Sequence, residues 1–167
     1  LTGVTADFFA VAGATATNLA DSGVVTAVFP ATAAAVIDIA AIPGVTAPVT
    51  GAAPVATITE TAQYTGTVTW DPVNDQFLGE QTYTATITLT AKAGFTLTGV
   101  TADFFTVAGA ETDTNPADSG VVTAVFPATA PAVIDIAAIP GVTAPVTGAA
   151  PVATITETAQ YTGTVTW

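Results

Sequence analysis

The chain has 167 residues, half of them hydrophobic, and carries thirteen carboxylates against one lysine, with no histidine or cysteine. A formal net charge of −12 repels nucleic-acid phosphates and anionic lipid headgroups, so we expect neither as a partner. Without His or Cys the common nucleophile–base pairs cannot form, so we also expect no enzymatic activity.

Turn-forming residues divide the chain into short segments in which apolar residues alternate with threonine. Successive side chains of a strand point to opposite faces of a sheet, so this alternation predicts strands with one buried and one solvated face. No apolar run reaches the roughly eighteen residues of a membrane-spanning helix, and we expect no membrane insertion. In chain order the predicted strands are Ala56–Thr61, Tyr64–Trp70, Tyr83–Ala91 and Gly120–Phe126, and Thr101–Phe105 is predicted to form one short helical turn.

One long repeat organises the chain. Residues 20–70 and 117–167 are identical except that Pro131 replaces Ala34, which defines a period of 97 residues. The segment LTGVTADFF also occurs twice, and the copies differ mainly just after it, where AVAGATATNL is replaced by TVAGAETDTNP. A period of this length is that of a small domain, because solenoid units are about 20–45 residues long. Short strands separated by turns then predict an all-β fold of immunoglobulin-like antiparallel β-sandwich modules in tandem.

A segment containing Pro and Gly occurs once per period, at Val36–Pro48 and at Val133–Pro145. This composition is typical of connections between domains, so it predicts a short linker. Residues 1–36 would form the C-terminal half of one repeat, 37–132 a complete repeat, and 133–167 the N-terminal half of the next. A half sandwich exposes an apolar face and open strand edges, which predicts head-to-tail complementation between chains by strand donation. The alternative is that the chain is a segment of a longer array.

The segments PVTGAAPVATI, YTGTVTWDP and GEQTYTATITLTAKAGFTL together resemble the immunoglobulin-like tandem modules of bacterial cell-surface proteins, including S-layer-associated and adhesin-like polypeptides. The matching positions are Pro54, Tyr64, Val68, Trp70, Pro72, Phe77, Gly79, Tyr83, Ile87, Leu89, Lys92, Gly94 and Phe95. The resemblance covers most of the period and implies a secreted, extracellular or cell-surface location. It implies a structural role in a stalk, surface layer or fibre and carries no catalytic residues. From the half domains and the low charge we expect neighbouring copies of the chain as partners, head to tail or side by side. The alternative that the resemblance implies is an adhesin repeat that binds a glycan or a host protein through its loops.

Two acidic loops are candidate calcium sites, because hard cations bind several oxygen ligands from a flexible loop. The first loop contains Asp71, Asn74 and Asp75, with Glu80 nearby. The second has the sequence ETDTNPAD, but the first copy of the repeat reads ATATNLAD and lacks two of its carboxylates. Asp and Asn are also ordinary turn residues, so turn formation is the alternative for both loops. We expect no other cofactor.

Two further types of side chain stand out. Lys92 lies in the tight-turn sequence TAKAGF, where we expect it to be solvated. An amide bond from Lys92 to Asn74 or Asn115 is the alternative, and it requires a desolvated, neutral amine. The period-equivalent residues Trp70 and Trp167 are both predicted to anchor the core.

Overall fold

The computed structural model describes all residues from Leu1 to Trp167 and is built from strands, turns and loops. It confirms the all-β class, and none of its elements is a helix able to cross a membrane. The strands are β1 (Thr15–Asn18), β2 (Val25–Val28), β3 (Ala35–Val36), β4 (Ala41–Ile42), β5 (Tyr64–Asp71), β6 (Thr84–Ala91), β7 (Phe95–Thr96), β8 (Thr106–Val107), β9 (Thr112–Thr114) and β10 (Val121–Val125).

The largest sheet contains four antiparallel strands in the order β5-β6-β10-β9. Strand β6 is central, because β5 pairs with it along its full length and β10 pairs with its other edge. Three of the four predicted strands are thereby confirmed. The fourth, Ala56–Thr61, is not a regular strand: it adds to β5 through one isolated bridge, from Thr57 to Thr67, and two flanking backbone hydrogen bonds.

The inner face of this sheet carries the core, as the alternation predicts. Ala85 and Ile87 of β6 are completely buried, and so are Val122 and Ala124 of β10. The threonines between them lie on the outer face, where their branched Cβ atoms suit a pleated surface. Edge-to-face aromatic contacts close one end of the core, with ring centroids 4.9 Å apart for Trp70–Phe77 and 4.7 Å apart for Phe77–Tyr83.

The linker predicted at Val36–Pro48 is wrong, because this segment belongs to the module itself. Strand β3 pairs in parallel with β7, and β4 pairs in parallel with β8. The side chains of Ile37, Ile42 and Val45 are only 2%, 2% and 1% exposed. The Pro–Gly pair forms a bend within this segment, and the N–H of Thr59 donates to the carbonyl oxygen of Pro43 at 2.8 Å. Burial of its aliphatic residues outweighs the composition that suggested a linker.

The helical turn predicted for Thr101–Phe105 is also wrong. Asp103 has a φ of 54°, a left-handed conformation that does not continue into a right-handed helix. Its N–H donates to the carbonyl oxygen of Asn115 at 2.9 Å, so the hydrogen bond crosses to the residue that follows β9. The segment is a β-turn that precedes β8.

The partial repeats at the two ends of the chain leave apolar side chains exposed. Trp167 is 57% exposed whereas Trp70 is 8% exposed, so the prediction of a core anchor is confirmed for Trp70 and wrong for Trp167. Phe29 is 61% exposed whereas its equivalent Phe126 is completely buried. The reason is that the residues that cover Trp70 in the complete repeat, such as Phe77, have no counterparts beside Trp167.

The two partial repeats do not add up to one module. Residues 1–33 correspond to the end of the repeat and residues 133–167 to its beginning, so neither provides an equivalent of β6 or β7. Strands β5 and β10 are not neighbours in the sheet, because β6 lies between them. Complementation of one partial repeat by the other would therefore leave an equivalent of β6 missing, and head-to-tail complementation stays a prediction.

Candidate functional site

The four residues of the first calcium candidate lie at the end of β5 and in the loop that follows it. The Tyr83 hydroxyl donates to Oδ1 of Asn74 at 2.8 Å and accepts from the N–H of Leu78 at 2.8 Å. Asp71, Asp75 and Glu80 are all exposed, and the structure contains no group of three or more Asp or Glu residues placed to hold a metal ion. The calcium site stays a prediction. A rise in the urea midpoint on addition of calcium, absent in an Asp75→Asn variant, would establish it.

Two acidic residues of the second loop accept hydrogen bonds from backbone N–H groups. Oδ2 of Asp113 accepts from the N–H of Val107 at 2.6 Å, and Oδ1 of Asp118 accepts from the N–H of Gly99 at 2.5 Å. Glu111 is exposed. These contacts are those of turn-forming residues, which was the alternative for this loop.

Asn115 is the buried polar centre of this region, at 2% exposed. Its Oδ1 accepts from the N–H of Phe105 at 3.1 Å, and its Nδ2 donates to the carbonyl oxygens of Thr101 and Pro116 at 3.1 and 3.0 Å. Its own N–H donates to Oδ1 of Asp103 at 3.2 Å. All hydrogen-bonding groups of the amide are thus used in tying the turn before β8 to the end of β9.

The same network recurs in the first partial repeat. Asn18 accepts from the N–H of Phe9 at 3.2 Å and donates to the carbonyl oxygens of Thr5 and Leu19, both at 3.0 Å. Asp7 has a φ of 55°, as its equivalent Asp103 has 54°. The same local contacts therefore recur outside the core cluster of the complete repeat.

Lys92 lies beside the turn that precedes β5. Its Nζ donates to the carbonyl oxygen of Thr61 and lies 3.4 Å from Oε1 of Glu60, with about a third of its side chain exposed. Lys92 is therefore only partly solvated, whereas the sequence predicted a solvated side chain. Neither Asn74 nor Asn115 is among its partners.

The chain enters the complete repeat at Ala35, at one end of the four-stranded sheet. The N–H of Ala35 donates to the carbonyl oxygen of Gly94 at 2.8 Å, and the N–H of Ile37 donates to that of Thr96 at 3.1 Å. Gly94 follows the last residue of β6 by three positions. We call the residues from Ala35 to Ile39 the entrance strand.

Gln63 and Tyr64 hold the entrance strand and the segment that follows it. Oε1 of Gln63 accepts from the N–H groups of Asp38 and Ile39 at 2.9 and 3.0 Å. The Tyr64 hydroxyl donates to the carbonyl oxygen of Ala41 at 2.8 Å, and burial raises the pKa of Tyr64 from 10.0 to about 12. Side chains from the start of β5 thus fasten the beginning of the module to its interior.

The chain leaves the repeat through residues 126–131, an irregular segment after β10 that pairs through backbone hydrogen bonds with residues 80–83 and that we call the exit strand. The buried Thr129 is its main anchor: its N–H donates to the carbonyl oxygen of Gln81 at 3.0 Å, and its hydroxyl donates to that of Leu78 at 2.5 Å. Gly79 lets the exit strand approach closely, because a Cβ at Gly79 would lie 2.7 Å from the N atom of Ala132 and 3.0 Å from the O atom of Ala130. The hydroxyl of Thr50 also donates to the carbonyl oxygen of Ala130.

The entrance and the exit lie at opposite ends of β6. The exit strand is anchored on residues 78–81, before Thr84, and the entrance strand on residues 94–96, after Ala91. Strand β6 has eight residues, which corresponds to roughly 27 Å at about 3.4 Å per residue. The chain therefore crosses the whole length of the module between entering and leaving it.

No residues separate the exit of one repeat from the entrance of the next. Ala132, which packs beside Gly79, is the period-equivalent of Ala35, the first residue of the entrance strand. The one substitution between the identical copies, Ala34 to Pro131, falls at this junction. Sequence reasoning placed a boundary in this region but missed Gln63 and Thr129. Their recurrence as Gln160 and Thr32 was visible, but neither stands out among the other repeated residues.

No protein-family model, curated protein or solved structure matches the chain.

Proposed function

We propose that this chain is a structural extracellular repeat of a bacterial surface stalk, surface layer or fibre. Its modules would be immunoglobulin-like β-sandwiches that follow one another at a period of 97 residues. The observation that supports the proposal is the placement of the entrance strand and the exit strand at opposite ends of β6. With this placement each module adds its own length to an array, so that tandem modules extend and do not cluster.

The junction supports a stiff array. Hydrogen bonds hold the exit strand as far as Ala130, and the entrance strand begins at the equivalent of Ala132. A connection with so few unanchored residues allows little bending, in contrast to a flexible linker whose reach grows with the square root of its length. Stiffness and extension are the properties that a stalk or a fibre requires.

The outer face of the four-stranded sheet supports lateral packing between copies. Its cross-strand neighbours are threonine pairs such as Thr67–Thr88 and Thr69–Thr86. These side chains are uncharged and add nothing to the repulsion between two such faces, where Asp71 at the end of β5 is the carboxylate on the same face. Head-to-tail complementation by partial repeats is a separate prediction, and such a pair would still lack an equivalent of β6.

The experiment is to prepare arrays with increasing numbers of complete 97-residue periods and to measure them by small-angle scattering and negative-stain electron microscopy. The proposal expects rods whose length grows linearly, by at least roughly 27 Å per period, the length of β6. A radius of gyration that grows only as about the 0.38 power of chain length, as in a compact protein, would refute it.

An adhesin repeat is the second candidate function, and it rests on a different observation. The copies differ most between residues 106 and 116, which include the exposed Glu111 and the edge strand β9. Loops that vary on a constant scaffold are typical of binding surfaces. Binding would be tested on glycan arrays and by pull-down. Loss of binding when the loop is replaced by the first copy's AVAGATATNL would favour this candidate. The length measurements on arrays do not separate the two candidate functions.

A further inference from the structure

The chain contains two identical copies of the first part of the repeat. Residues 36–70, which we call the first front segment, have the same sequence as residues 133–167, the second front segment. Both also form the same internal contacts. Gln63 and Gln160 each accept from two consecutive backbone N–H groups, and Trp70 and Trp167 each donate Nε1–H to a carbonyl oxygen, at 2.8 and 2.6 Å.

Only one of the two copies is packed into a module. Residues 71–130, which we call the back segment, contain β6 and β10 and provide one surface for a front segment. The first front segment occupies that surface, and Ile42 is 2% exposed whereas its equivalent Ile139 is 62% exposed. Because the two sequences are identical, a difference in intrinsic affinity for the back segment does not explain why the first front segment is packed and the second is not.

The position of the junction explains it. To replace the first front segment, the second would have to place Ala132 where Ala35 lies, beside Gly94. Ala130, two residues before Ala132, is held at the opposite end of β6, beside Gly79. Two Cα steps cover at most about 7.6 Å, whereas β6 alone spans roughly 27 Å. The second front segment reaches the surface only if the exit strand and much of β10 are released.

We infer that the direct junction, without a linker, prevents identical neighbouring repeats from exchanging their front segments. The geometry between the exit strand and the next entrance strand maintains the order of pairing along an array, although the sequences alone would permit either pairing. A flexible linker of sufficient length would remove this protection. The same reach argument applies to every pair of consecutive repeats with this period.

A rescue experiment tests the inference. The background carries Trp70→Phe, so that Trp167 is the single fluorophore, and Ile42→Asp, which places a carboxylate in the core and disables the first front segment. Into this background we would insert 25 Gly/Ser residues between Ala130 and Pro131, because such a linker has a mean reach of roughly 25–30 Å. The matched control has the same insertion between Ala33 and Ala34, the equivalent junction upstream.

We expect the downstream insertion alone to restore the module. The fluorescence emission of Trp167 should shift to shorter wavelength and become protected from quenching, and cooperative urea unfolding should return. The background and the upstream control should show neither change. Measurements would be made at a concentration at which sedimentation shows only monomers, so that exchange between molecules does not contribute. Burial of Trp167 in the monomeric background without any insertion would overturn the inference. Failure of both insertions to restore cooperative unfolding would also overturn it, since the two front segments would then not be interchangeable.

Discussion

Replacing Asn115 by alanine removes the buried amide that ties two distant segments of the module together. The substitution leaves the N–H of Phe105 and the carbonyl oxygen of Thr101 without the partners that lie 3.1 Å away from each of them. It also removes the bond to the carbonyl oxygen of Pro116. Asn115 is 2% exposed, so water does not readily replace the lost partners.

The magnitude follows from three side-chain hydrogen bonds at a buried position. Each such bond contributes about 1 kcal/mol net, and each buried group left unsatisfied costs about 1–3 kcal/mol. We therefore expect the free energy of unfolding to fall by about 3–5 kcal/mol. This loss is a large part of the roughly 5–15 kcal/mol that stabilises a typical domain. At a urea dependence of about 1.5 kcal/mol per molar, the midpoint would fall by about 2–3 M.

The assay is equilibrium urea denaturation followed by tryptophan fluorescence, with Trp167 replaced by Phe so that only the buried Trp70 reports. Asn18→Ala is the matched control, because Asn18 forms the same local network outside the complete repeat. We expect this control to leave the Trp70 transition unchanged. A midpoint for Asn115→Ala that matches the midpoint for Asn18→Ala would show that the network contributes nothing to the module.

Three further predictions concern the two ends of the module and its response to alkali. Gly79→Ala should destabilise the module by about 1–3 kcal/mol in urea, because its Cβ would lie 2.7 Å from the backbone after the exit strand; Gly163→Ala, whose nearest contact is 3.4 Å, should be neutral. Gln63→Ala should cost about 0.5–1.5 kcal/mol, because it removes two hydrogen bonds to the entrance strand at positions that water partly reaches. Gln160→Ala should leave the same transition unchanged, and equal midpoints for the two variants would refute the anchoring role. The pKa of Tyr64 is raised from 10.0 to about 12 in the folded state, so its contribution to stability is complete below pH 10 and is lost as the pH rises towards 12. The loss amounts to about 2–3 kcal/mol at about 1.4 kcal/mol per pKa unit. Urea midpoints measured between these pH values should fall in the parent and fall less in Tyr64→Phe, and parallel pH profiles would contradict the assignment.

The strands of the sheet were predictable because the residue pattern that specifies them is local in the sequence. Alternation of apolar residues with threonine assigns each side chain of β6 to one of the two faces of the sheet. The apolar face is buried whichever strands lie beside β6. The role of Trp70 followed from the same parity. The prediction for Trp167 was wrong although the two residues lie in identical sequences, because burial depends on residues such as Phe77 that lie outside the local pattern.

The first strand of the module was not predictable from composition. Pro43 and Gly44 suggested a linker, but the segment around them packs Ile37 and Ile42 into the core and pairs in parallel with strands that lie about sixty residues away in the sequence. Parallel pairing between distant segments leaves no periodic signal in either of them. Gln63 and Thr129 were missed for the same reason, since their partners lie 24–25 and 48–51 residues away.

By itself, the sequence determined that the chain is β-structured, that it repeats every 97 residues, and that it contains identical segments able to form identical local contacts. Only the tertiary structure decided that residues 36–48 pack into the module rather than link it to its neighbour, and which of two identical segments completes it. The physical reason is that local propensity acts equally on every copy of a sequence, whereas the choice of partner depends on the distance that a covalent chain is able to span.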